Sequence, residues 1–199
     1  MSSEEASYGE PATRRRILQA TWELIGERRS NPKLSEVAER ASVSRQAIYL
    51  HFGDRAGLLV ALVQHVDEVL GLTQLAAHIF DAPTGGEALQ RMVEVRSDYA
   101  SKIDPVAQVF DVARYQDEAI AAAWRDWMDF SRVVNRTIIQ RIADEGQLAE
   151  GWTVDAAADV CYSVTMPGLW RELTRELGWT PEQYAENITR LLHRSLLAE

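Results

Sequence analysis

Cysteine is almost missing from this chain: Cys161 stands alone in 199 residues. That excludes an intrachain disulfide and the small disulfide-stapled extracellular scaffolds, so a cytoplasmic location is expected. With no basic neighbour in sequence, Cys161 reads as a small buried hydrophobe on a helix. No apolar run reaches about 18 residues, so no transmembrane helix is expected. The opening MSSEEASYGEPAT lacks both the basic and the apolar region of a signal peptide. Residues 1–11 therefore read as a disordered tail. Also missing are a strand-like alternation, an internal repeat and a low-complexity segment. The expected fold class is all-α.

Catalytic signatures are missing too. No nucleophile motif, phosphate-binding glycine loop or carboxylate pair stands out, and Gly85-Gly86 reads as a loop. His51, His65, His78 and His193 are scattered. His65 and Glu68 are three apart, but zinc needs three or four convergent ligands, so this pair reads as a solvated face. The expectation is a chain that is not an enzyme, with no catalytic residue, metal or cofactor.

Positive charge is scarce overall but unevenly placed. The net charge is −9, yet residues 11–53 hold eight basic and four acidic residues, a net +4. A basic module ahead of an acidic body suits a nucleic-acid reader with a separate second domain.

That basic module contains the stretch on which the chain is organised, LSEVAERASVSRQAIYLHF at 34–52. Val37, Ala38 and Ala41 share one face of a short helix, Val43 sits in a turn, and Ile48 and Phe52 share a face of a second helix. Leu18 and Trp22 complete a small three-helix core. Ser44 is placed to cap the second helix. Its outward side chains, Arg45, Gln46, Tyr49 and His51, include no acid, and all donate hydrogen bonds. Such a helix, propped on another, suits the major groove of double-stranded DNA. Arg14, Arg15 and Arg16 open the preceding helix, from about residue 12 to 28. They read either as phosphate contacts beside the groove, by at least one of the three, or as a solvated helix start that the helix dipole disfavours.

Beyond Gly53, Asp54 is a helix N-cap, and apolar spacing predicts a long helix from about 55 to 72, suited to carrying strain between domains. Asp81-Ala-Pro-Thr-Gly-Gly is a loop signal. One helix is predicted over about 86–101 and a shorter one after Asp104-Pro105. A long helix covers about 117–145, with Gly146 as its C-cap. Another runs from about 154 to 177, capped by Thr153, with Met166-Pro167-Gly168 as a kink that helps open a cavity. Thr180-Pro-Glu-Gln starts the last, to about 197.

The run S-E-V-A-E-R-A-S-V-S-R-Q-A-I-Y-L-H-F-G-D-R-A-G-L-L resembles the N-terminal signature of the TetR family of transcriptional regulators. The match lies in V-S-x-x-x-I-Y-x-H-F, an acid-basic pair and a double leucine. It covers about Arg14 to Leu62, and L-T-R-E-L-G-W-T-P-E-Q-Y resembles the final helix pair of many members. The resemblance implies three regions: the tail, a helix-turn-helix DNA-binding domain over 12–53, and a helical ligand-binding and dimerisation domain over 54–199. It implies a homodimer on a pseudo-palindromic operator, usually a repressor released by a small-molecule effector. By position, Arg45 and Gln46 become base readers, as arginine suits guanine and glutamine suits adenine. Tyr49 becomes a phosphate or thymine-methyl contact, and His51 and Arg55 phosphate contacts. Arg14, Lys33, Ser35 and Ser44 join the DNA-binding set. Two positions depart from the pattern. Lys33 replaces the usual threonine cap, and Ser42 stands where glycine is common and a left-handed backbone is expected.

For the effector, Tyr99, Phe110, Trp124, Trp127, Met128, Ser131, Tyr162, Met166 and Trp170 form an aromatic group compatible with either core packing or a largely apolar ligand pocket. Arg96, Asp98, Arg114 and Asp126 can orient a polar ligand, though surface exposure is the default for each. The stripes Val160, Val164, Gly168 and Leu169, and Tyr184, Ile188, Leu191 and Leu192, read as intrachain core or as a four-helix dimer bundle.

Overall fold

The structure, a computed structural model, describes residues 11–198; of the expected tail at 1–11, residues 1–10 lie outside the described residues, and Pro11 is instead the first residue of a helix. No strand is found among them, only an isolated bridge between Leu148 and Leu197, so the chain is all-α. Ten α-helices follow one another: α1 Pro11–Arg28, α2 Leu34–Arg40, α3 Arg45–Phe52, α4 Arg55–Leu70, α5 Leu72–Phe80, α6 Gly85–Ala113, α7 Glu118–Asp144, α8 Val154–Val164, α9 Pro167–Arg171 and α10 Pro181–Leu196. Two compact units divide them. One holds residues up to Leu70 together with Pro105–Arg125, and the other Gly71–Asp104 and Asp126–Glu199. Helix α4 lies in the same compact unit as α1–α3.

In the first unit α1 packs on α2 and α4, and α3 on α2 and α4. Ile17, Ile25, Val37, Ala47, Ile48 and Leu62 have no exposed surface. Local chemistry sets the breaks. Arg29 takes φ 51° after α1, its amide bonded to the Ile25 carbonyl at 2.7 Å, and Pro32 follows, as at many helix ends. Lys33 is the N-cap of α2, but an ammonium cannot accept a hydrogen bond. Glu36 instead reaches back and accepts from the Lys33 amide at 2.8 Å. Ser42 has φ 53°, the left-handed backbone expected of the turn. The Ser44 hydroxyl accepts from the Ala47 amide at 3.1 Å and starts α3. Asp54 accepts from the Gly57 amide at 2.8 Å and starts α4.

In the second unit a core gathers Leu89, Met92 and Val93 of α6, Ile138, Ile139 and Ile142 of α7, Ala157 and Cys161 of α8, and Tyr184, Ile188 and Leu192 of α10. The caps fall where expected. Thr153 accepts from Ala156 at 3.2 Å, and Thr180 and Gln183 form a reciprocal capping box on α10. Gly146, with φ 71°, ends α7. The Tyr184, Ile188, Leu192 stripe is intrachain core, leaving Leu191 exposed.

Three expectations are corrected. The long helix after Asp54 ends at Leu70, where Gly71 turns left-handed at φ 68°, and the separate α5 follows. The helix expected to stop before Asp104-Pro105 runs on as one 29-residue helix with Pro105 inside it. Ile103, Val106, Ala107 and Phe110 are all buried around the proline, and that burial outweighs the roughly 3 kcal/mol a mid-helix proline costs. The single helix over 154–177 is broken. It ends at Val164 and resumes at Pro167, then loosens into a π-helical turn at Glu172–Glu176.

Candidate functional site

On the head, α3 presents Arg45, Gln46, Tyr49 and Leu50 to solvent and keeps Ala47 and Ile48 inside. Arg45, Gln46 and Tyr49 have no hydrogen bond or ion pair among the described residues. Most neighbouring cations are engaged. Arg40 forms a two-pronged pair with Glu27 at 2.9 Å, which holds that carboxyl below its usual range. Arg28 pairs with Glu36. Arg14 stacks over the Phe52 ring at 5.4 Å. Arg55 is exposed but donates to the Asn31 carbonyl at 2.9 Å. Lys33 and Ser35 lie exposed at the start of α2. His51 is half-buried, its Nε2 enclosed without a hydrogen-bond partner among the described residues, so it does not share the outward face expected of it. Leu50, unremarked in sequence because apolar residues are assigned inward by default, is 69% exposed on that helix.

His65 is also corrected. It is buried, not solvated, and meets Trp22 edge-on at 6.4 Å. Burial pushes its pKa down, Glu68 opposes that, and Arg15 and Arg14 add to it. A folded value below the unfolded value of about 6.5 means the unfolded chain takes up a proton that the folded head refuses. Stability is therefore full above pH 6.5 and is lost as the pH falls through and below it. Thermal unfolding from pH 8 to 5 is expected to show that decline, and His65→Leu to flatten it. An unchanged slope in the variant refutes the assignment.

The second unit contains two small adjoining cavity lobes of about 60 and 50 Å³ that share Arg96, Tyr99, Trp127 and Ser131. Leu72, Leu75 and Ala76 of α5 with Val95 and Phe130 line the first. Met128, Tyr162, Thr165, Met166 and Pro167 line the second, where α8 gives way to α9. Arg96 donates to the Thr165 hydroxyl and, at 3.1 Å, to the Ser131 carbonyl. Burial lowers its pKa, partly offset by Cys161, Tyr184 and Tyr162. Cys161 lies deeper, its thiol pushed up to about 12 by burial against the opposing pull of Arg96, so it is unreactive.

Residues 17–62 match the model of the bacterial regulatory proteins, tetR family. The TetR-family match lies within α1–α4. No curated protein matches it by sequence. Solved structures of low identity share the fold over nearly the whole chain. A transcriptional regulator from Saccharomonospora viridis in complex with choline superposes with a TM-score of 0.82 at 17% identity, covering 96% of this chain and 100% of that one. NalD, the secondary repressor of the MexAB-OprM multidrug efflux pump in Pseudomonas aeruginosa, gives 0.67 at 20% identity, covering 99% and 100%. FadR from Bacillus subtilis in complex with stearoyl-CoA gives 0.66 at 18% identity, covering 90% and 97%.

Of the aromatic group, Tyr99, Trp127, Met128, Ser131, Tyr162 and Met166 line the cavity. Phe110 and Trp124 do not: both are buried in the other compact unit, where Arg114 lies 5.0 Å over the Trp124 ring. Trp170 is packed in the core with its indole nitrogen 3.4 Å from Ser97 Oγ. Of the four charged candidates only Arg96 reaches the cavity. Asp98 pairs with Lys102 and Arg114 with Asp111, while Asp126 is exposed. The α5 wall goes unassigned in the sequence reading, although Leu72, Leu75, Ala76 and Ile79 stand at the i, i+3, i+4, i+7 spacing of a helical face.

Proposed function

We propose that this chain is a ligand-responsive regulator that binds a pseudo-palindromic operator as a homodimer, represses transcription there, and is released by a small, largely apolar effector. The observation that carries the reading is the outer face of α3. Arg45, Gln46 and Tyr49 stand exposed and unengaged on a head whose cations Arg28 and Arg40 are neutralised by their own carboxylates. A guanidinium left free on a groove-sized helix is suited to base reading. In this reading residues 12–53 contact DNA, with Arg14, Lys33, Ser35, Ser44 and Arg55 beside the readers, and 54–199 bind the effector and dimerise. The two-lobed cavity supports the effector. The dimer is supported by apolar side chains left outside in the second unit, Phe130 and Val133 on α7, Val160 on α8 and Leu191 on α10. Such residues on helices fit a two-fold bundle.

The test is a mobility shift with DNA from upstream of its own reading frame, which the dimer should retard at nanomolar concentration. Equal, weak binding to every duplex at physiological salt sinks the reading. Arg45→Ala should lose about 1–3 kcal/mol, concentrated at one base pair of each half-site. A loss spread evenly over operator variants reassigns Arg45 to phosphate.

A further inference from the structure

Among the described residues, Arg96 is a cation without a counter-ion. Elsewhere in the second unit, Arg132 pairs with Asp129, Arg136 with Asp155, Arg141 with Glu145, Arg171 with Asp104 and Arg190 with Glu186. Arg96 has only neutral acceptors, the Thr165 hydroxyl and the Ser131 carbonyl, and no carboxylate pairs with it among the described residues. It also lines both lobes of the cavity. A guanidinium carries five N–H donors in a fixed fork, and these two bonds engage only part of it. Setting such a group in a low-dielectric site without an opposite charge is costly, and a bound anion offsets that cost.

We propose that the cavity binds an amphipathic monocarboxylate, its carboxylate held by the Arg96 fork and its apolar tail lying among the aliphatic and aromatic walls. The inference rests on the reading of this unit as effector-binding and names the effector's class. A planar carboxylate matches the fork with two parallel charge-assisted hydrogen bonds. A quaternary ammonium is repelled by the same charge. A phosphate dianion would bring two charges to a cavity whose lining contains no second cation. The remaining walls are those of a hydrocarbon site: Leu72, Leu75 and Val95 in one lobe, Ile103 and Met128 in the other, and Trp127 in both. Each lobe has room for on the order of four waters, so a short chain or a single ring is the fitting tail.

The test uses the full chain and calorimetry with phenylacetate, octanoate and benzoate, each against its neutral amide, and with phenyltrimethylammonium. At least one acid should bind, about ten- to a hundredfold more tightly than its amide, with affinity falling as salt rises. Arg96→Met keeps the length of the stem and removes the charge. It should fold, with an unfolding temperature at or above that of the parent, and lose the acid's advantage over the amide. Arg96→Lys should retain part of it. Acid and amide binding equally, or Arg96→Met holding the acid as tightly as the parent, overturns the carboxylate assignment while leaving an effector cavity in place. Tighter binding of phenyltrimethylammonium overturns it likewise. No binding by any probe overturns both, and operator binding by the head is scored separately in the mobility shift. The acid-against-amide comparison on the unaltered chain stands even where a variant fails to fold.

Discussion

Gly57→Ala is expected to destabilise the head by about 3 kcal/mol and to abolish its DNA binding. Gly57 is the third residue of α4, and its amide donates to the capping carboxylate of Asp54 at 2.8 Å. A methyl group there would sit 2.0 Å from the Phe52 carbonyl oxygen and 3.2 Å from its carbon. That neighbour is backbone, so it cannot swing aside as a side chain would. Relief requires the end of α3 to move against the start of α4, and both are fixed by packing: Ile48 on α3 is fully buried, as are Leu58 and Leu59 on α4. The usual helical rule gives the opposite sign, since glycine to alanine inside a helix gains about 0.5–1 kcal/mol. Gly26 in α1 supplies that control, because nothing lies within 4 Å of its added methyl. Denaturant unfolding of the two variants should therefore move the midpoint in opposite directions. A Gly57→Ala protein as stable as the parent would show that the α3–α4 corner yields more readily than its close approach implies.

The corner and the turns around it were readable in sequence because their causes are short-range. Ser44, Asp54, Thr153 and Thr180 each cap an amide three residues ahead. The left-handed turn at Ser42 follows instead from the family resemblance, which has glycine at that place. Reading failed where a local rule met a distant competitor. Proline predicted a break at Asp104-Pro105, and the burial of Ile103, Val106 and Phe110 holds α6 continuous through it. A helix from 154 to 177 looked continuous in its periodicity, yet α8 stops at Val164, and the Thr165 hydroxyl there accepts from Arg96, 69 residues away in sequence. The cavity was half legible for a similar reason. Helical spacing groups Trp124 with Trp127, but the two fall in different compact units, and only Trp127 lines the lobes. Arg96 had surface exposure as its default, and only the carbonyl of α7 and the hydroxyl after α8 make it part of a site.

Arg171→Met should cost the second unit about 3 kcal/mol, at the lower end of the range for breaking a buried ion pair. Asp104 is 1% exposed, and the guanidinium of Arg171 reaches it at 2.6 Å. Arg175 is a poorer partner at 3.8 Å, and its side chain is 43% exposed. Removing Arg171 takes the nearer of two cations from a carboxylate that is out of water, and weakening the compensation of a buried charge is what makes such losses large. The reverse change is gentler, because Arg171 keeps 21% exposure and can be hydrated when Asp104 is gone. Arg171→Met should therefore destabilise more than Asp104→Asn, although both break the same contact. The double variant should recover much of the Arg171→Met loss, since the buried carboxylate is then neutral. Urea unfolding of the two single variants and the double variant measures this directly. Additive losses would mean that the pair is worth no more than a surface bridge, and that Asp104 finds its stabilisation elsewhere.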